Sequence, residues 1–298
     1  MPAAQDLSST MGMWLLAVFL EALLQGMGML QCFLYFVWYH KDPWSFKATV
    51  IVLVALECIQ MGASFANIYD WFINNFGDYS ALRFIGWSDM LQLTALYLAV
   101  FVAQAHFARC IYQLRKEDLW LPAVIFLLAL IALAAGLGQV VFCIQLGEYS
   151  KLGSTKVTTN LQAAAALAAD ALITFGLCWR LNKGRGGIQS TNKILNFLIT
   201  TAINRGVFTM IFAALNIVLF FSRPGTFDFM LVIFLSDKIY MNSVLAMLNT
   251  RQYAVQVGHG TVVQQLSLPV FEAARPDTTS TAVSTSQQST FEMGKLRV

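Results

Sequence analysis

The sequence predicts an all-α, polytopic membrane protein: a bundle of seven transmembrane helices with its N-terminus outside and its C-terminus in the cytosol. Three observations carry this. Of the 298 residues, 57% are hydrophobic and only 12% are charged, whereas soluble domains are about 45–50% apolar and about 25% charged. The apolar residues gather into seven runs, each with the ~20 residues a helix needs to cross hydrocarbon. All seven tryptophans (Trp14, Trp38, Trp44, Trp71, Trp87, Trp120 and Trp179) lie at the ends of those runs, at the headgroup boundary that indole favours.

The runs cover residues 13–37, 46–68, 87–112, 120–143, 158–180, 194–221 and 227–249. The first is a retained helix and not a cleaved leader. It has no basic segment before it, exceeds the length of a signal core, and carries Glu21, Gln25 and Gln31. The third and sixth runs are longer, so they tilt or project past the bilayer. Short alternating segments of the kind that build a β-barrel are not seen. The fourth run contains ALAAGLG and the fifth QAAAALAAD. Such small-residue faces let backbones approach, so these two helices are expected to be close neighbours.

Orientation follows from Lys and Arg in the short connections. The inner side would hold Lys41, Lys47, Arg109, Arg115, Lys116, Arg180, Lys183, Arg185, Lys193 and Arg251; the outer side would hold Arg83, Lys151, Lys156 and Arg223. Residues 1–12 form an outer segment, 13–251 the membrane domain, and 252–298 a Ser/Thr-rich cytosolic tail too polar to offset its ordering entropy. The connection over 69–88 reads as an interfacial loop in preference to a lid. The basic turn over 183–187 faces anionic lipid or a cytosolic partner. Plasma membrane is the expected location. The net charge of +3 is too small and dispersed for nucleic acid. The five cysteines form no disulfide framework, and the chain has no Asn-x-Ser/Thr acceptor.

The informative residues are the polar ones inside the runs. Asp237 and Lys238 stand side by side near the middle of the last run, and Glu57, Asp170 and Arg205 are equally deep in others. Each costs about 2.5–3.5 kcal/mol in hydrocarbon on insertion scales. Spacings of three and four put Glu21, Gln25, Gly28 and Cys32 on one face of the first helix, and Glu57, Gln60 and Ser64 on one face of the second. Gln162, Ala166, Asp170 and Thr174 share a face of the fifth, and Thr201, Arg205, Thr209, Phe212 and Asn216 a face of the sixth. Lys238, Asn242 and Asn249 align on the seventh, with Asp237 about 100° aside. These stripes are expected to meet in a polar core, whose candidate residues are Glu57, Asp170, Arg205, Asp237, Lys238 and Asn242. Arg205 could pair with Asp170 or Asp237, and Lys238 with Glu57 or Asp170.

Enzymatic readings are disfavoured. His106 is the only histidine in a run, too few for a zinc site, and no nucleophile elbow, phosphate loop or HExxH sequence is present. No cofactor is expected. Lys238 sits where a retinal lysine would, but the third run has no mid-span carboxylate and Asp237 is adjacent to the lysine instead of one turn before it. The G-protein-coupled receptor pattern matches in outline only, because the third helix ends ARCIYQLRK and the seventh lacks Asn-Pro-x-x-Tyr. Three roles remain open: a receptor-like or sensor-like bundle with a small-molecule ligand, a small-solute or proton transporter, and a polar lock that only fixes helix register. The first is preferred, because no internal repeat or proline-broken helix of the transporter kind is visible.

The stretches AADALITFGLCWRL (168–181), NKILNFLITTAINRGVFT (192–209) and SDKIYMNSVLAMLNTR (236–251), with KDPW at 41–44, resemble a family of uncharacterised seven-helix membrane proteins of mushroom-forming (basidiomycete) fungi, defined by a fungal domain of unknown function. The family-like region spans 163–251. Asp170, Lys238, Tyr240, Asn242 and Asn249 fit its motifs, whereas Arg205 and Asp237 depart from the small or polar residues commoner there. The resemblance implies a seven-helix fold and brings no ligand or activity.

Overall fold

The structure is a computed structural model. It describes residues 11–258 apart from 79, 81–82, 115, 117, 184–188 and 223–227. Positions 189–191, 193–194, 197–198, 217, 220–221, 228–229 and 250–258 are described by backbone alone. Arg115, Arg185 and Arg223, used above for orientation, lie outside the described residues, as do most of the outer segment, positions 184–187 of the basic turn and the tail beyond 258.

Among the described residues seven α-helices follow one another: α1 (Met13–Trp38), α2 (Trp44–Tyr69), α3 (Trp87–Leu114), α4 (Trp120–Leu146), α5 (Lys156–Lys183), α6 (Gln189–Ser222) and α7 (Asp228–Gly258). Every apolar run is a helix, and most helices outrun their runs, because polar residues alone do not stop a helix; a local signal does. At the end of α4 that signal is Gly147, with φ +66°, whose amide donates back to the Cys143 carbonyl at 3.0 Å. α2 starts immediately after Pro43, the N-cap, whose extended backbone (ψ 146°) lies outside the helix. α7 continues past 251 to Gly258. α2 passes into a π-helical turn at Asp70–Asn74, and a 3₁₀ segment, Tyr149–Thr155, precedes α5.

Six stretches among the described residues are long and apolar enough to cross a membrane: Met13–Trp38, Trp44–Asn74, Trp87–Leu114, Trp120–Leu146, Tyr149–Lys183 and Met230–Asn249. Large apolar side chains such as Phe19, Phe33, Phe65, Leu127, Ile144 and Phe175 point outward, as lipid contact requires and water would penalise.

Sequential helices pack pairwise, and α7 closes the ring onto α1. α3 also touches α5 and α7. It is therefore the central post, and it and the Met230–Asn249 part of α7 are the most enclosed stretches. α4 packs along α5 as its small residues predict, with Ala129, Ala132, Ala165 and Ala169 buried. Gly136 of α4 serves a third helix: a Cβ there would lie 2.7 Å from ring atoms of Tyr97 on α3. That ring is pinned, because its hydroxyl donates to Gln139 Oε1 at 2.9 Å. Gly136→Ala is expected to destabilise by about 1–3 kcal/mol through overpacking. Gly138→Ala, at a position with nothing within 4 Å, should leave the melting temperature in detergent unchanged; equal effects of the two would remove the steric reason for Gly136.

Trp38, Trp44, Trp87 and Trp120 are exposed at helix ends, as a belt residue would be, whereas two others face inward. Trp14 and Trp71 are buried, their rings 5.0 Å apart, with Phe234 of α7 at 5.5 Å from Trp14 and Tyr149 at 6.5 Å from Trp71. They plug the end of the bundle where α1 begins. The 69–88 connection helps to close that end. Its Ile85 amide donates to the Gly147 carbonyl at 3.0 Å, and Phe84 pairs with Glu148.

Candidate functional site

The polar stripes face inward and collect into two networks, one on each side of α7. Residues 238 and 240 are about 200° apart on a helix, so Lys238 and Tyr240 look in nearly opposite directions.

The first network joins α2 and α7. Lys238 is fully buried, and its Nζ donates to Glu57 Oε2 at 2.6 Å, to the Glu57 carbonyl at 3.3 Å, and to Gln60 Oε1. Of the two partners open to Lys238 on sequence, Glu57 is the one it meets, and three acceptors use all three ammonium protons. Gln92 of α3 donates through its amide to Ser64 of α2, which extends the network to the central helix. Glu21 of α1 is buried within electrostatic reach of Lys238, Ser64 and Glu57. Asp237 is also buried, 3% exposed, and in reach of Glu57, Lys238 and Glu21. Asp237 thus joins the enclosure although it lies about 100° off the Lys238 stripe, because α7 packs against α1, α2, α3 and α6.

The second network joins α3, α5, α6 and α7. Asp170 Oδ1 accepts from Arg205 Nη2 at 3.0 Å, from the Tyr240 hydroxyl at 2.6 Å and from Gln104 Nε2 at 3.3 Å. Arg205 also donates to the Tyr240 oxygen. Its guanidinium carbon lies 3.8 Å from the centroid of Phe107 and 4.4 Å from that of Tyr240, so two rings enclose a weakly hydrated planar cation. Arg205 thus pairs with Asp170 and not with Asp237.

Asn242 does other work. Its side-chain amide donates to the Leu24 carbonyl of α1 at 3.0 Å and to the Lys238 carbonyl at 2.8 Å. Asn249 repeats this one heptad later, donating to the Gln31 carbonyl at 2.8 Å, and the Tyr39 hydroxyl donates to the Asn249 carbonyl at 2.9 Å. These bonds zip α1 to α7 beside Gly28, where a Cβ would strike Met241.

Several contributors lie outside the six-residue candidate set, among them Glu21, Gln104 and Tyr240. Glu21 was visible as part of a stripe, but its partners lie on other helices. Gln104 and Tyr240 carry no charge, so nothing in composition marked them. Arg180 resembles an inner-loop charge; it is in fact buried, donating to the Ile111 carbonyl at 2.7 Å and the Asp118 carbonyl at 2.9 Å, where it caps the end of α3. At the other end of α3, Asp89 accepts from Asn67 and, at 2.8 Å, from the Gly86 amide, which ties α3 to α2.

A family model described as a family of unknown function (DUF6534) matches residues 166–253. No curated protein and no solved structure matches the chain. The matched stretch runs from α5 into α7 and holds Asp170, Arg205, Lys238, Tyr240 and Asn242, while Glu21, Glu57 and Gln104 come from helices before it. Over α5 to α7 this membrane-type chain is thus similar to an uncharacterised domain of unknown function.

Proposed function

We propose that the chain is a receptor-like or sensor-like membrane protein of fungal origin. Its seven helices cross the plasma membrane with the N-terminus outside and the C-terminus cytosolic. It takes a small-molecule ligand in its polar core, passes the change to a cytosolic partner at the inner connections, and carries out no catalysis. One observation supports this most: α7 is held from both sides by ionic networks, Lys238 to Glu57 on one face and Tyr240 to Asp170 and Arg205 on the other. A ligand that alters either network changes the balance of contacts on a single helix whose end lies next to the tail. A helix held by two opposed networks is an element whose balance of contacts a ligand binding at either one shifts.

The transporter reading is favoured by a different observation, the excess of carboxyls around Lys238. The two part in reconstituted vesicles. Under an imposed proton gradient the protein is expected to give no solute flux above that of empty vesicles. Uncoupler-sensitive flux that Lys238→Ala abolishes would replace the receptor reading with the transporter one. Terminal tags labelled from the same side of the membrane would defeat the seven-crossing arrangement.

A further inference from the structure

The surroundings of Lys238 are short of positive charge, and their unpaired polar atoms are acceptors apart from the Gln60 Nε2 amide. Three carboxyls, Glu21, Glu57 and Asp237, share one ammonium, and all four side chains are buried. The three protons of Lys238 go to Glu57 Oε2, the Glu57 carbonyl and Gln60, so none remains for the other acids. Neither oxygen of Glu21, at 0% exposure, makes a hydrogen bond of ordinary geometry, the Ser64 hydroxyl being the one donor turned toward that carboxyl, and Asp237 Oδ2 has no partner among the described residues. The amide oxygens of Gln25 and Gln92 are also left unpaired. Gln25 spends its NH₂ on Cys58 Sγ at 3.5 Å, and Gln92 spends its own on Ser64. Buried acceptors without donors are costly, and uncompensated buried carboxylates more so. The groups turned toward Glu21 are Lys238 and Asp237 from α7 and Glu57 with Ser64 from α2, while α3 contributes the neutral Gln92 through Ser64.

What is missing is therefore small, positive and donating. A metal ion is a poor candidate, since no group of three or more His, Cys, Asp or Glu among the described residues is disposed to hold one. A proton requires no cavity and turns an orphaned acceptor into a donor. We propose that Glu21 and Asp237 form a proton-binding site, each carboxylate taking up one proton from solvent to become a neutral acid that donates to a neighbouring oxygen. Two protons with the Lys238 charge balance three carboxyls, and no other bond forms or breaks. The inference stands on this cluster and is independent of whether the protein signals or transports.

Infrared spectroscopy of the full-length protein in lipid nanodiscs, at neutral pH in choline chloride buffer, tests it. A protonated-carboxyl C=O band is expected, shifting in D₂O. Glu21→Gln should remove one component and Asp237→Asn another, whereas Glu148→Gln, at a partly exposed carboxyl paired with Lys151, should remove none. Absence of the band from the wild type overturns the proposal without reference to any variant. So does a Glu21→Gln spectrum that superimposes on the wild type. If the band vanishes when sodium chloride replaces choline chloride, the site belongs to sodium and the proton assignment fails.

Discussion

Lys238→Met is expected to destabilise the folded bundle by about 3–5 kcal/mol, the cost typical of removing one partner from a buried ion pair. The ammonium is fully buried and serves three acceptors. Its loss leaves Glu57 without a counter-charge and Gln60 without its donor. Neutral interhelical hydrogen bonds in membranes are worth far less, about 0.6 kcal/mol on average, because the separated helices find other partners. That attenuation applies weakly here, since a carboxylate finds no comparable cation in lipid. Glu57→Met alone should also destabilise, by stranding the lysine. The Glu57→Met, Lys238→Met double variant removes both charges and should recover much of the loss, with a coupling energy of about 2–3 kcal/mol. Reversible unfolding in mixed micelles measures all four corners of the cycle. Additive single effects, or a Lys238→Met loss under about 1 kcal/mol, would mean that the pair does not hold α2 to α7.

The double variant has a second use. If Lys238 served Glu57 alone, removing both would restore stability fully. Lys238 also donates to Gln60, so a residual deficit is expected, and its size reports the cost of leaving that buried amide oxygen without a donor.

The helices were legible because a run of apolar residues long enough to cross hydrocarbon has few alternatives to being helical there. Their ends were less so. α4 stops at Gly147, a backbone signal, and not where hydropathy falls. The inward faces were legible too: Glu57 with Gln60 and Ser64, or Lys238 with Asn242, follow helical spacing and are buried together. What periodicity cannot give is the partner. Lys238 could have met Glu57 or Asp170, and the choice depends on the rotation of α7 about its axis and on α3 standing between the two networks. Asp237 shows the limit of the face argument, which assumes that a helix has an outside; α7 has little of one. Trp14 and Trp71 mark another. A tryptophan at a helix end satisfies the belt rule equally well facing lipid or facing the other helices, and only the 69–88 connection folding over the end decides which. Arg180 was hidden for a related reason. A cation at an inner helix end looks like a topology signal even when its work is to satisfy carbonyls at the end of α3.

Arg205→Leu is expected to cost about 3–5 kcal/mol by stranding Asp170, and Arg205→Lys about 1–2 kcal/mol although it keeps the charge. The second number carries the more specific claim. A lysine ammonium could reach one oxygen of Asp170, yet it cannot lie flat between Phe107 and Tyr240, whose ring centroids sit 3.8 Å and 4.4 Å from the guanidinium carbon. It is also more strongly hydrated, so enclosing it costs more, and a buried cation–π contact is worth up to about 2 kcal/mol. Tyr240→Phe keeps the ring and removes only the hydroxyl that donates to Asp170 at 2.6 Å, so it should cost about 1–2 kcal/mol. The expected order of stability is therefore wild type, then Tyr240→Phe and Arg205→Lys together, then Arg205→Leu, read from unfolding midpoints in one detergent. An Arg205→Lys protein as stable as the wild type would show that charge alone is used at this site. Arg205→Leu no worse than Arg205→Lys would show that Asp170 needs no cation, and the second network would then be a set of ordinary interhelical hydrogen bonds.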